Sequence, residues 1–181
     1  MMPMVSEQGK VVSARWPIES VIPQWCVAYT SANHEKRVTE QLLQRSVEHF
    51  LPLYESVRRW KDRRIKLQLP LFPGYVFVRL PLCDRMKVLQ VPGVARLVGF
   101  NGQPAVLADK EIEALRTSTI ARLGAKPHPY LTVGRRVRIQ RGVLEGVEGI
   151  LIRRKNALRV VLSIDLIMRS VSVEVDASDL G

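Results

Sequence analysis

The chain has 181 residues, 46% of them hydrophobic and 25% charged, a composition that suits one or two globular domains with a real core and excludes a disordered tail. Its 28 Lys and Arg against 17 Asp and Glu give a net charge of +11 and a pI near 10.3, which favours a polyanionic partner, nucleic acid first. Cys26 and Cys83 form no CxxC pair and have no His at metal-ligand spacing, so neither a zinc site nor a disulfide framework is signalled.

Residues 1–23 carry Pro3, Pro17 and Pro23 without a repeating hydrophobic period and read as a flexible lead-in. Order is expected from Gln24, where Trp25, Val27 and Tyr29 alternate with Cys26, Ala28 and Thr30 as a first strand. A helix follows, capped by Ser31 or Asn33, with Val38 and Leu42 on its buried stripe and Glu35, Lys36, Arg37 and Glu40 facing solvent. From His49 to Leu80 the pattern predicts two long strands joined by a basic hairpin around Lys61 and Asp62. Asp84 is placed to cap a short helix through Met86, Val88 and Leu89, which Pro92 and Gly93 end before a strand at Ala95 to Val98. Gly99, Asn101, Gly102 and Pro104 read as a loop, and Asp109 as the cap of a helix with Ile112, Leu115 and Thr119 on one face. The order predicts an α+β fold, helices on a mainly antiparallel sheet close to the ferredoxin-like pattern.

Residues 124–130, with two prolines, read as a linker between a domain over 24–123 and a second over 131–181. In the second, short β-type runs at Val137 to Ile139, Ile150 to Ile152, Leu158 to Ile164 and Val171 to Val175, punctuated by Gly142, Gly146 and Gly149, predict a small SH3-like five-stranded β-barrel. Ala157, Val161, Ile164 and Met168 also fall at helical spacing, but the β-branched Val160, Val161, Ile164, Val171, Val173 and Val175 favour strands.

Two segments carry candidate function. Between Leu69 and Leu80, Pro73 fixes φ and Gly74 permits φ > 0, which suits a type II turn presenting Phe72 and Tyr75 at a sheet edge; the same pattern also fits an ordinary hairpin with core aromatics. Just before it, Arg58, Arg59, Lys61, Arg63, Arg64 and Lys66 stand with a single acid, Asp62, a cluster suited to phosphate contact or to a solvated, charge-protected strand edge.

Trp25 with Val27, the helix containing Glu35, the turn from Leu71 through Phe77, the Pro92-Gly93-Val94 step and the loop to Pro104 resemble the N-terminal domain of NusG-type transcription elongation factors. Gly134, Val137, Ile139, Gly142, Gly146 and Gly149 resemble the KOW motif that ends those proteins, and together the likeness covers about residues 24–180. The resemblance implies an elongation or antitermination factor that docks on the clamp helices of RNA polymerase and suppresses pausing, with the KOW barrel recruiting Rho or a small-subunit ribosomal protein. It places Trp25, Phe72, Pro73 and Tyr75 at the polymerase contact, with Phe77 a weaker candidate that one strand alternation could bury. Cys26 stands where the family usually has an aromatic and is left out. The basic hairpin would then lie near nontemplate or upstream DNA, and its length and charge resemble the specialised members that serve long operons.

The alternative is an RNA- or ribosome-associated KOW protein, against which the Phe-Pro-Gly-Tyr turn argues, because RNA-reading sheets expose aromatics at strand centres. An enzyme is not expected: Gly142, Gly146 and Gly149 lack the Lys and Ser/Thr of a phosphate loop, and neither a Ser/His/Asp set nor a paired-carboxylate site stands out. No cofactor is expected, and a monomer is. With no apolar run near the roughly 18 residues of a membrane span and no secretory leader, the expected setting is the cytoplasm.

Overall fold

The computed structural model describes residues 20–60, 63–120, 123–131, 134–154 and 157–180. Most of the expected N-terminal lead-in, together with Lys61 and Asp62, lies outside them.

The first sheet is built around β1 (Gln24–Thr30), whose Val, Ala and aromatic residues leave only Tyr29 exposed. After α1 (Glu35–Gln44) come β2 (Glu48–Phe50), β3 (Leu53–Trp60), β4 (Arg63–Pro70) and β5 (Tyr75–Leu80). Then follow α2 (Met86–Leu89), β6 (Val94–Leu97), β7 (Gly99–Phe100), β8 (Gln103–Pro104) and α3 (Asp109–Ile120). The four-stranded sheet has the order β2-β5-β1-β6, and every pairing in it is antiparallel.

Alternation along β1 divides the core in two. Cys26 and Ala28 share one face with Val76 and Val78, against Val38 and Leu42 of α1 and Val88 of α2. Trp25 and Val27 share the other with Phe77, against Leu71, Phe72 and, from α3, Ile112 and Leu115. Full burial of a Leu or Val stabilises the fold by about 1.5–3 kcal/mol, so the two helical stripes hold the sheet between them.

Helix starts are set by position more than by side-chain caps. Neither Ser31 nor Asn33 caps α1: His34 occupies that position without a side-chain bond to the helix, its Nδ1 turned back to the Ala32 carbonyl at 3.0 Å, while Asn33 sits at φ 62, a left-handed conformation its short amide tolerates. Asp84 lies one residue too early, in a 3-10 turn, and pairs with Lys87 at 2.7 Å. Asp109 is already helical, and the Ala108 N–H is taken instead by the Glu111 carboxylate at 3.0 Å, the returning arm of a capping box. The expected loop at 99–104 is a small hairpin, β7 paired with β8 around Asn101 and Gly102, both at positive φ as a tight hairpin turn demands.

β3 and β4 pair only with each other, in unbroken register from Leu53↔Pro70 to Trp60↔Arg63. They form a ribbon apart from the main sheet.

The C-terminal unit is a five-stranded antiparallel sheet. Four strands fall where expected: β10 (Arg136–Arg138), β11 (Glu148–Arg154), β12 (Ala157–Ile164) and β13 (Arg169–Val175). The fifth, β9 (Lys126–His128), comes from the stretch expected to be a linker and pairs with β13, giving the order β10-β11-β12-β13-β9. Gly149 is required by close approach, since a Cβ there would collide with Val160 Cγ1 and the Val161 carbonyl. The residues at helical spacing, Ala157, Val161 and Ile164, lie in β12, and Met168 follows in a turn at φ 48.

Candidate functional site

The Phe72-Pro73-Gly74-Tyr75 turn closes as its chemistry dictates. Gly74 has φ 83, and the Tyr75 N–H donates to the Phe72 carbonyl at 3.1 Å. Two further bonds pin the peptides on either side of Gly74. The Thr30 N–H donates to the Gly74 carbonyl at 2.8 Å, and the Gly74 N–H donates to Glu35 Oε1 at 2.7 Å. Glu35 was expected to face solvent; it is buried, turned from the first turn of α1 onto the strand-to-strand connection. A carboxylate bonded to a backbone N–H in a buried setting makes a strong, charge-assisted contact, so this turn is held more firmly than turn residues alone would hold it.

The aromatics around the turn divide into a buried and an exposed set. Trp25 is 2% exposed and Phe72 1%, so neither is presented at the surface as expected. Phe72 meets Phe77 edge-on at 5.7 Å, and Trp25 lies beneath the Arg116 guanidinium at 5.0 Å, with its backbone bridged to Leu107. Alternation along β1 and β5 puts Trp25 and Phe77 on the face that packs against α3, and Phe72 reaches it from the turn by packing on Phe77. Phe77 is fully buried with them.

Tyr29 and Tyr75 lie on the same face at its open end. They are directly opposed in the β1–β5 register, with ring centroids 5.4 Å apart and planes at 52°. Tyr29 is 38% exposed, Tyr75 half-buried and Pro73 exposed. Arg96 of β6, opposite Tyr29, sets its guanidinium 5.5 Å from that ring. A Cβ on Gly74 would come 3.4 Å from Tyr29 Cε2, so the glycine also makes room for the ring. Tyr29, Arg96 and Glu35 were missed as site residues because each joins the turn only through strand register or a contact spanning tens of residues. The signal available was Tyr29 at an alternation position matching Trp25.

The basic ribbon forms a second candidate surface. Arg58, Arg59, Arg63, Arg64 and Lys66 are all exposed, while Lys61 is outside the described residues. Residues directly opposed in an antiparallel pair share a face, so Arg59, Arg64 and Lys66 point one way and Arg58 and Arg63 the other. Lys66 pairs with Glu55 at 3.1 Å. Arg59 and Arg64 are opposed like charges, an unfavourable arrangement, and among the described residues no carboxylate bridges either of them.

The remaining reactive groups lie apart from both surfaces. Cys26 is in the core, where burial pushes its thiol up to about 11. Cys83 is half-buried and free. Among the described residues, no group of three or more His, Cys, Asp or Glu could hold a metal ion, and no helix is long and apolar enough to cross a membrane.

Residues 23–116 match the family described as "Transcription termination factor nusG". The chain is 30% identical over 166 residues to the transcription termination/antitermination protein NusG of Lactococcus lactis, covering 84% of this chain and 89% of that protein. It is 29% identical over 175 residues to the protein of the same name from Escherichia coli K12, covering 87% and 94%. Among solved structures, "Domain interaction in Thermotoga maritima NusG" aligns with a TM-score of 0.60 at 23% identity, over 89% of this chain and 97% of that one, a likeness of fold.

Proposed function

Because this chain belongs to the NusG family of transcription factors, we propose that it docks on the clamp helices of RNA polymerase and suppresses pausing or termination. The observation that carries this reading is the Tyr29–Tyr75 pair, with Tyr29 exposed and Tyr75 half-buried, beside the exposed Pro73 on a turn pinned by Glu35. Aromatic anchors on a rigid support are the usual means of gripping an apolar helical ridge, since little side-chain entropy is lost on binding. In this reading Pro73 and Tyr75 make the contact, Tyr29 joins them, and Trp25 and Phe72 support them from beneath. Arg96, with no ion pair among the described residues and its guanidinium over Tyr29, suits an acidic residue flanking the ridge.

The basic ribbon is assigned to nontemplate or upstream DNA. Opposed arginines such as Arg59 and Arg64 are relieved when a phosphate backbone passes between or beside them. The C-terminal KOW unit is assigned the recruiting role, with Rho or a small-subunit ribosomal protein as partner. Service on specialised long operons, action as a monomer and a cytoplasmic setting complete the proposal.

The test is binding of the full chain to core RNA polymerase and to an isolated clamp-helix fragment, with single-round transcription through a pause site in parallel. Saturable binding to both, with shortened pauses, is expected. Binding to neither polymerase nor fragment overturns the assignment.

A further inference from the structure

Residues 123–131 run along the outer edge of β13 and are fastened to it from end to end. The Glu174 N–H donates to the Leu123 carbonyl at 2.9 Å. Lys126, Pro127 and His128 pair with Ser172, Val171 and Ser170. At the far end, Ser163 Oγ donates to the Leu131 carbonyl at 2.7 Å, and the Leu131 N–H donates to Ser170 Oγ at 3.3 Å. The middle of this strap is its weak part, because β9 has only three residues, with Pro127 at the outward position where an edge strand tolerates it.

The near end is bolted by an arginine. Arg159 of β12 is 6% exposed, and its guanidinium reaches across β13 to the strap. Its Nη2 donates to the Gly124 carbonyl and, at 3.0 Å, to the Ser172 carbonyl. Its Nε donates to Ser172 Oγ at 3.2 Å and its Nη1 to Glu174 Oε2 at 3.1 Å. A buried guanidinium is costly unless such a set of acceptors is complete, and the one acceptor that the strap itself supplies is the Gly124 carbonyl. Gly124 takes φ 59, a conformation that suits glycine and turns that carbonyl toward the guanidinium.

The consequence concerns reach. The last residue of α3, Ile120, is only three positions before Leu123, so with the strap fastened the two units are tied by a very short piece of chain. They also touch loosely: Leu115 of α3 and Leu144 and Leu162 of the C-terminal unit belong to one buried cluster, yet they line a cavity of about 520 Å³. We propose that Arg159 is a latch that sets the length of the tether between the two units, holding residues 123–131 in the C-terminal sheet when shut and releasing them as tether when open. At roughly 3.5 Å per extended residue, opening lengthens the possible reach from roughly 10 Å to roughly 40 Å. The isolated chain is latched, and a partner that binds the extended form supplies the free energy of release.

The test uses the full chain with Arg159→Met, which keeps an unbranched apolar stem and removes the guanidinium with its donors. Hydrogen exchange is read at Lys126 and His128, whose backbone faces Ser172 and Ser170. Spin labels at Leu43→Cys and Val143→Cys, in a Cys83→Ser background, report the distance between the units. Loss of the guanidinium bonds is expected to lower protection at those two amides by about tenfold or more, and to broaden the label distances, while β10, β11 and β12 keep their protection. Gly124→Ala, strained at its positive φ, is expected to lower protection at the same amides by a smaller factor, and it serves as the test if Arg159→Met does not fold. Unchanged exchange and unchanged distances in both variants overturn the proposal. So does loss of protection spread evenly across the five strands, which would make Arg159 a support of the whole sheet.

Discussion

At the scale of single residues, two aromatics separated by three positions have different work. Phe72 is packed edge-on against Phe77, and truncating a buried Phe costs about 3–5 kcal/mol through lost contacts and a residual cavity. Tyr75 is half-buried beside an exposed neighbour, so its truncation removes little from the core. The expected outcome is therefore a split. Phe72→Ala lowers the melting temperature markedly, and any loss of polymerase affinity follows from unfolding. Tyr75→Ala leaves the melting curve nearly in place while weakening clamp-helix binding by about 2 kcal/mol, the size typical of an interfacial anchor. Melting and titration on the same samples check it, and equal affinity for Tyr75→Ala and the parent would remove Tyr75 from the interface. Glu35 offers a companion measurement. Glu35→Gln retains an oxygen for the Gly74 N–H and is expected to bind nearly as the parent does, whereas Glu35→Leu leaves that N–H buried and unpaired, a cost of about 1–3 kcal/mol spent at the turn. Nuclear magnetic resonance of the Gly74 amide separates the two, since only the leucine variant should move it far.

At the scale of elements, the basic ribbon carries a prediction that its register makes quantitative. Arg59 and Arg64 oppose one another and Arg63 points to the other face, so a polyanion engaging three of these side chains must contact more than one side of the ribbon. With about three phosphates engaged, the logarithm of affinity for DNA falls against the logarithm of salt with a slope of roughly −2 to −3. Replacing Arg59, Arg63 and Arg64 together by Gln should flatten that slope toward zero without altering the fold, because all three are exposed. Filter binding of the full chain across a salt series checks it, and an identical slope in the triple variant would make the ribbon a solvated edge. The elements also show what was legible in the sequence. Strand alternation located β1, β5, β12 and β13, and the Pro73-Gly74 pair located the turn, because those signals are local. Which aromatics surface there was not local. Trp25 and Phe72 disappear into one cluster with Phe77 and with Ile112 and Leu115 of α3, whereas Tyr29, four positions along β1 from Trp25, stays exposed. Glu35 reads as an ordinary exposed helix acid until the chain returns, thirty-nine positions later, to offer it an N–H.

At the scale of the whole molecule, the boundary between the two units is where local reading and structure part. Prolines, a glycine and few large apolar residues make 124–130 read as a spacer, and those are the residues a short, proline-bearing edge strand also uses. Only pairing partners distinguish the two, and they lie in β13, some forty residues on. The distinction has a measurable consequence for how the C-terminal sheet stands alone. A fragment beginning at Leu123 keeps the strap; one beginning at Thr132 leaves Glu174, Ser172 and Ser170 with an open edge and removes the Gly124 carbonyl from Arg159. Each lost backbone bond is worth about 0.5–1.5 kcal/mol, and a buried guanidinium missing an acceptor adds about 1–3 kcal/mol. Together these approach the few kcal/mol that a unit of this size has in total, at roughly 0.05–0.15 kcal/mol per residue. The longer fragment is therefore expected to give a cooperative melt with strand-type circular dichroism, and the shorter one a broad transition or none at 25 °C. Matched, cooperative melts from both would mean that the edge needs no seal, and would return residues 124–130 to the role of a spacer.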